Sequence, residues 1–130
     1  RRRDEIKSQK KGINITKNMV LEASQSDTLA QVSTLILRDK NIETFDEDQP
    51  ASKNYFSFDE LINLECIYAS HNLIRDIYGI CRLNTLRELN LSFNMIQDIT
   101  PLESLSLLEK LFLNRNKVTV LDPIMKLTSL

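Results

Sequence analysis

The chain has 130 residues, a length that fits one domain, with a net charge of −1 and only 6% aromatic residues. Leucine (20) and isoleucine (13) make up about a quarter of it, while glycine and proline together number five, which excludes collagen-like, disulfide-scaffold and disordered classes. No run approaches the ~20 consecutive apolar residues of a membrane-spanning helix, so no membrane span is expected.

Residues 1–12 read as a flexible basic leader, with six basic side chains against Asp4 and Glu5. The remaining chain holds 11 basic and 16 acidic residues, an acidic body that is a poor match for a phosphate backbone, so nucleic acid is disfavoured as a partner. Residues 13–31 form a capping helix and link. Thr16 is placed as an N-cap, Ile15 and Val20 form a hydrophobic staple, and Ile15, Met19, Val20 and Ala23 share one face of a helix from about Lys17 to Ser24. Its expected task is to shield the first of a series of repeats.

The repeats fill 32–130 with a period of 22. Leu64, Leu86 and Leu108 open successive units of the form L-x-x-L-x-L-x-x-N-x-I. These read Leu64, Ile67, Ala69, Asn72, Ile74; then Leu86, Leu89, Leu91, Asn94, Ile96; then Leu108, Leu111, Leu113, Asn116, Val118. An earlier unit begins at Val32 and continues through Leu35, Leu37, Ile42 and Phe45, with Lys40 in the asparagine slot and an insertion at about 46–57. A fifth unit would begin at Leu130, so further repeats or a cap are expected after it and the chain reads as an excerpt of something longer.

This pattern resembles the leucine-rich repeat family, and the 22-residue unit resembles its type-1-phosphatase-regulator subfamily. The resemblance implies an α/β solenoid: a concave parallel β-sheet with one short strand per unit, convex 3₁₀ or short helical segments, a right-handed course and an N-terminal capping helix. Alternation along a strand such as Glu88-Leu89-Asn90-Leu91 points the leucines inward and Glu88 and Asn90 outward. Asn72, Asn94 and Asn116 would stack as a ladder that satisfies turn backbone groups. Lys40 cannot accept hydrogen bonds, so the first turn is expected to lean on other groups, such as Asn41.

Little in the sequence points to chemistry. His71 is the single histidine and reads as an exposed turn residue; Gly12 and Gly79 form no phosphate-cradling loop. Asp76 and Asp98 share a slot and could stack, a weak metal signal; Cys66 and Cys81 read as free thiols in a reducing setting. Asn14-Ile15-Thr16 and Asn90-Leu91-Ser92 match the glycosylation acceptor pattern but read as incidental. The expectation is a non-enzyme without cofactor or metal.

The concave face is the promising surface. Its rows run Thr34, Cys66, Glu88, Lys110; then Ile36, Tyr68, Asn90, Phe112; then Arg38, Ser70, Ser92, Asn114, with Asp39, His71, Phe93 and Arg115 just beyond. Ile36, Tyr68, Phe93 and Phe112 have no folding reason to be apolar there. With Arg38, Glu88, Asn90, Lys110 and Arg115 around them they form a candidate protein-binding face of apolar anchors and polar rim. The expected function is a protein–protein interaction scaffold. The resemblance further implies an intracellular, cytoplasmic setting, with ciliary, centrosomal or other cytoskeletal adaptors as relatives and the nucleus left open. Alternatives are a regulatory subunit of a type-1 protein phosphatase and a spliceosomal ribonucleoprotein component.

Overall fold

The fold is seen in a computed structural model that describes residues 12–45 and 56–130. The basic leader (apart from Gly12) and the acidic part of the insertion lie outside the described residues. In chain order the elements are β1 (Ile13–Asn14), α1 (Lys17–Ser24), β2 (Thr34–Ile36), β3 (Ile42–Thr44), β4 (Cys66–Tyr68), β5 (Glu88–Asn90) and β6 (Lys110–Phe112). Among the described residues five 3₁₀ segments interleave with them, at Leu29–Gln31, Phe58–Glu60, Tyr78–Arg82, Thr100–Ser104 and Asp122–Lys126.

Strands β2, β4, β5 and β6 form one parallel sheet in that order. The register is unbroken: Leu35, Ile67, Leu89 and Leu111 align, flanked by Thr34–Cys66–Glu88–Lys110 and Ile36–Tyr68–Asn90–Phe112. Each strand is only three residues long because the chain must turn out of the sheet as soon as its two inward leucine-type residues are placed. The inward side chains and the apolar residues of the 3₁₀ segments fill one continuous core, in which Leu35, Ile67, Leu89, Leu91, Ile80 and Leu102 are almost wholly buried. Burial of such side chains, at ~25 cal/mol per Å², is what holds units too short to fold alone.

The N-terminal segment closes one end of this core. Thr16 caps α1, its Oγ1 accepting from the Met19 N–H at 3.1 Å, and Ile15 and Val20 are buried. A short strand that the sequence pattern did not reveal, β1, pairs in parallel with β3, Ile13 opposite Ile42. Gly12 permits this approach, since a Cβ there would stand 2.3 Å from the Glu43 Cβ. Phe56 is buried against Phe58 with ring centroids 5.4 Å apart, and Ser57 with Glu60 forms a capping box for the 3₁₀ segment that follows.

The asparagines hold the turns, each serving its own unit and the one before. Asn94 Nδ2 donates to the carbonyls of Ala69, Leu91 and Ser92, and its Oδ1 accepts from the Ile74 N–H. Asn116 repeats the pattern with Leu91, Leu113 and Ile96. The first turn does not lean on Asn41. Asn72 serves it, its Oδ1 accepting from the N–H groups of Lys40 (2.9 Å) and Ile42 (3.1 Å). The side chain that matters thus belongs to the following unit, and the lysine in the first asparagine slot leaves that turn supported.

A candidate protein-docking face

The sharp reversal after β2, β4, β5 and β6 falls on the residue before the asparagine slot. Asp39, His71, Phe93 and Arg115 all have φ near +60° (58–61°), a left-handed conformation that glycine adopts most easily. None of them is glycine. Their N–H groups continue the ladder beyond the strands, Asp39 donating to Ser70 O, His71 to Ser92 O and Phe93 to Asn114 O. The cost of the conformation, roughly 1–2 kcal/mol for a residue with a Cβ, is met in exchange for a row of large side chains thrown onto the rim of the sheet.

On that face Ile36, Phe93 and Phe112 are exposed to 56%, 43% and 45%; the inward residues are buried beneath Ile36 and Phe93, while Leu111 and Leu113 beside Phe112 are partly buried. His71 is more than an exposed turn residue: its ring stacks on Phe93, centroids 4.3 Å apart and nearly parallel. Arg38 and Arg115 are exposed beside this row.

Tyr68, Glu88 and Lys110 are tied to one another on this face. The Tyr68 hydroxyl donates to Glu88 Oε2, and Lys110 Nζ lies 3.6 Å from Glu88 Oε1. Hydrogen bonding to the carboxylate, with desolvation second, pushes the Tyr68 phenol up to about 12. The three side chains therefore form a tied cluster across β4, β5 and β6, leaving the aromatic ring of Tyr68 half-buried. Asn90 is likewise engaged, its Oδ1 accepting from Ser92 N–H at 3.0 Å, while Ser92 Oγ donates to Asn114 Oδ1 at 2.5 Å. The exposed apolar surface thus falls to Ile36, Phe93 and Phe112, with the His71 ring beside them.

Asp76 and Asp98 do not act as a pair. Each accepts from the N–H two residues ahead, Tyr78 at 2.8 Å and Thr100 at 2.9 Å, and so opens a 3₁₀ segment. Hydrogen bonds from Thr100, side chain first and then backbone, hold the Asp98 carboxyl below its usual range. Both cysteines are free, and among the described residues no group of three His, Cys, Asp or Glu is placed to hold a metal ion. No helix among the described residues is long and apolar enough to cross a membrane.

Sequence reasoning missed one feature of the rim. Arg75, Met95, Gln97 and Lys117 line a shallow recess of about 140 Å³ beside the left-handed row. Its signal was present in the repeat, because Leu73, Met95 and Lys117 share one slot and Arg75 and Gln97 another.

Comparison with known proteins agrees with this geometry. A family model described as leucine-rich repeats (two copies) matches residues 62–104. A search of curated proteins returned no match. Among solved structures, the chain is similar to an internalin from Listeria monocytogenes, with a TM-score of 0.70 and 22% identity over 87% of this chain and 33% of the other. It is also similar to internalin C2 from the same organism, with a TM-score of 0.57 and 25% identity over 75% of this chain and 48% of the other. The chain thus spans about a third and about a half of these two proteins. Periodic sequence, sheet register, asparagine-held turns and structural neighbours converge: the chain carries leucine-rich repeats and folds as a leucine-rich-repeat solenoid.

Proposed function

We propose that the chain is a non-catalytic protein-interaction scaffold that docks a protein partner on the concave face of its sheet. The observation that carries this reading is the exposure of Ile36, Phe93 and Phe112 on the outward face of the sheet, away from the core. Leucine-rich repeats generally mediate protein–protein interaction, and this face has the composition of an interface centre, aromatic and aliphatic anchors with arginine at the edge. Arg38, Arg115 and the Glu88–Lys110 pair form its polar border, with Asn90 between them.

The test is capture of partner proteins by the chain and by a Tyr68→Ala/Phe112→Ala variant. Loss of the captured protein with an unchanged melting temperature supports the reading; undiminished capture refutes it. A cytoskeletal or ciliary adaptor in a reducing, intracellular setting is the context we favour, on the 22-residue unit and two free thiols. The same unit length favours, as a second reading, a regulatory subunit of a type-1 phosphatase. That subunit would change phosphatase activity on mixing, which an adaptor would not.

A further inference from the structure

Among the described residues, the cations of the repeats divide into two groups. Arg82, Arg87, Lys110 and Lys126 each pair across a unit boundary, with Asp59, Glu109, Glu88 and Glu103 respectively, at 3.2–3.7 Å. Arg38, Lys40, Arg75, Arg115 and Lys117 all lie on the rim where strands turn toward the convex side. Among the described residues they are exposed and make no ion pair. Among the described residues the only carboxylates of the 38–43 stretch and its equivalents are Asp39 and Glu43, both in the first unit; 70–75, 92–97 and 114–119 hold none. Among the described residues, five of the six unpaired cations therefore lie in one strip, the sixth being Lys17 on α1.

That strip has a shape. Arg75 and Lys117 stand two units apart, about 10 Å at sheet spacing, on either side of the recess of about 140 Å³ whose lining includes Met95. In the adjacent row the Phe93 ring, stacked on His71, lies one unit from Arg115. Each apolar side chain thus has unpaired cations on the neighbouring slots.

We propose that this rim receives a short acidic segment of a partner protein, one in which carboxylate side chains flank an apolar residue. The carboxylates pair with Arg75, Arg115 and Lys117, and the apolar residue packs on Phe93 and Met95. The inference rests on the reading of the sheet face as a docking surface and names the chemistry of what docks there. A nucleic acid fits less well. Away from the rim the described residues carry five basic and eleven acidic side chains, so a long phosphate backbone leaving the strip meets repulsion where a short peptide does not.

The experiment is selection of random-sequence displayed peptides on the full chain, followed by titration of the enriched peptides as synthetic probes. The expected peptides carry Asp or Glu on both sides of Leu, Ile or Phe. Their affinity should fall roughly ten-fold or more in an Arg115→Gln/Lys117→Gln variant of unchanged melting temperature, and similarly when their acids become amides. Binding should also weaken as salt rises. Enrichment of neutral or basic peptides, no enrichment, indifference to Arg115→Gln/Lys117→Gln, or tighter binding of a single-stranded RNA at the same rim overturns the proposal. Neutral peptides that are still lost on Phe112→Ala would refute the acidic segment and leave the docking face standing; peptides indifferent to both variants would refute both.

Discussion

Asn72 holds the backbone of Lys40 from the neighbouring unit, its Oδ1 2.9 Å from the Lys40 nitrogen, while its Nδ2 donates to Leu37 O at 2.8 Å and Ala69 O at 3.0 Å. One amide thus supports two turns, and the same arrangement recurs at Asn94 and Asn116. Removing the Asn94 amide orphans the Ile74 N–H within a buried turn and takes one of two donors from each of the carbonyls of Ala69, Leu91 and Ser92. Asn94→Ala should destabilise the chain by about 1–3 kcal/mol. Asn116→Ala should cost less, since Asn116 is only partly buried and serves the last described turn. Chemical denaturation compares the two; equal stability of Asn94→Ala and the parent would contradict the ladder.

Phe93 occupies a left-handed position with φ of 58°. Phe93→Gly relieves a conformational cost of roughly 1–2 kcal/mol and forfeits a ring stack worth about 0.5–1.5 kcal/mol. Its stability should therefore stay within about 1 kcal/mol of the parent, while partner capture is lost. A large fall in melting temperature would show that Phe93 is kept for the fold.

The Tyr68 phenol is held near 12 by Glu88. A folded pKa raised above the ordinary 10.0 means that the protonated phenol is the form the fold favours. Its contribution is fully present below about pH 10 and lost as pH rises toward about 12. Ultraviolet titration in a Tyr55→Phe/Tyr78→Phe background should show the late ionisation, and Glu88→Gln should move it down toward 10.0. Ionisation at the same pH with and without Glu88 would contradict the tied cluster.

A second set of side chains steadies the opposite corner. Asn63 Nδ2 donates to Ala30 O at 2.8 Å, Thr85 Oγ1 to Leu64 O at 2.6 Å and Ser129 Oγ to Ser106 O at 3.1 Å, all from the slot preceding a unit's first leucine. Leu107 occupies that slot in the fourth unit, exposed and unable to donate. Leu107→Thr should restore the bond and raise stability by about 0.5–1.5 kcal/mol, which thermal melting checks; a loss of that size would contradict the equivalence.

The period of 22 made the fold legible, because inward leucine-type residues, asparagines and convex apolar residues each recur where burial or an unsatisfied backbone group demands them. The exposed row was legible too: strand alternation places Ile36 and Phe112 outward without knowledge of contacts. What the pattern could not show were relationships between outward side chains. Tyr68 and Glu88 are diagonal neighbours on adjacent strands, and whether they meet depends on rotamers and on Lys110 completing the charge. The left-handed row was hidden because its residues are Asp, His, Phe and Arg in place of glycine. The recess between Arg75 and Lys117 spans two units, a distance no motif within one unit records.

The most direct test is photocrosslinking from single sites on the two faces. A photoreactive phenylalanine analogue is placed at Phe112 on the concave face and, separately, at Tyr78, exposed on the convex side. A captured partner should crosslink from position 112 and not from position 78. Crosslinking from the convex site alone would contradict it.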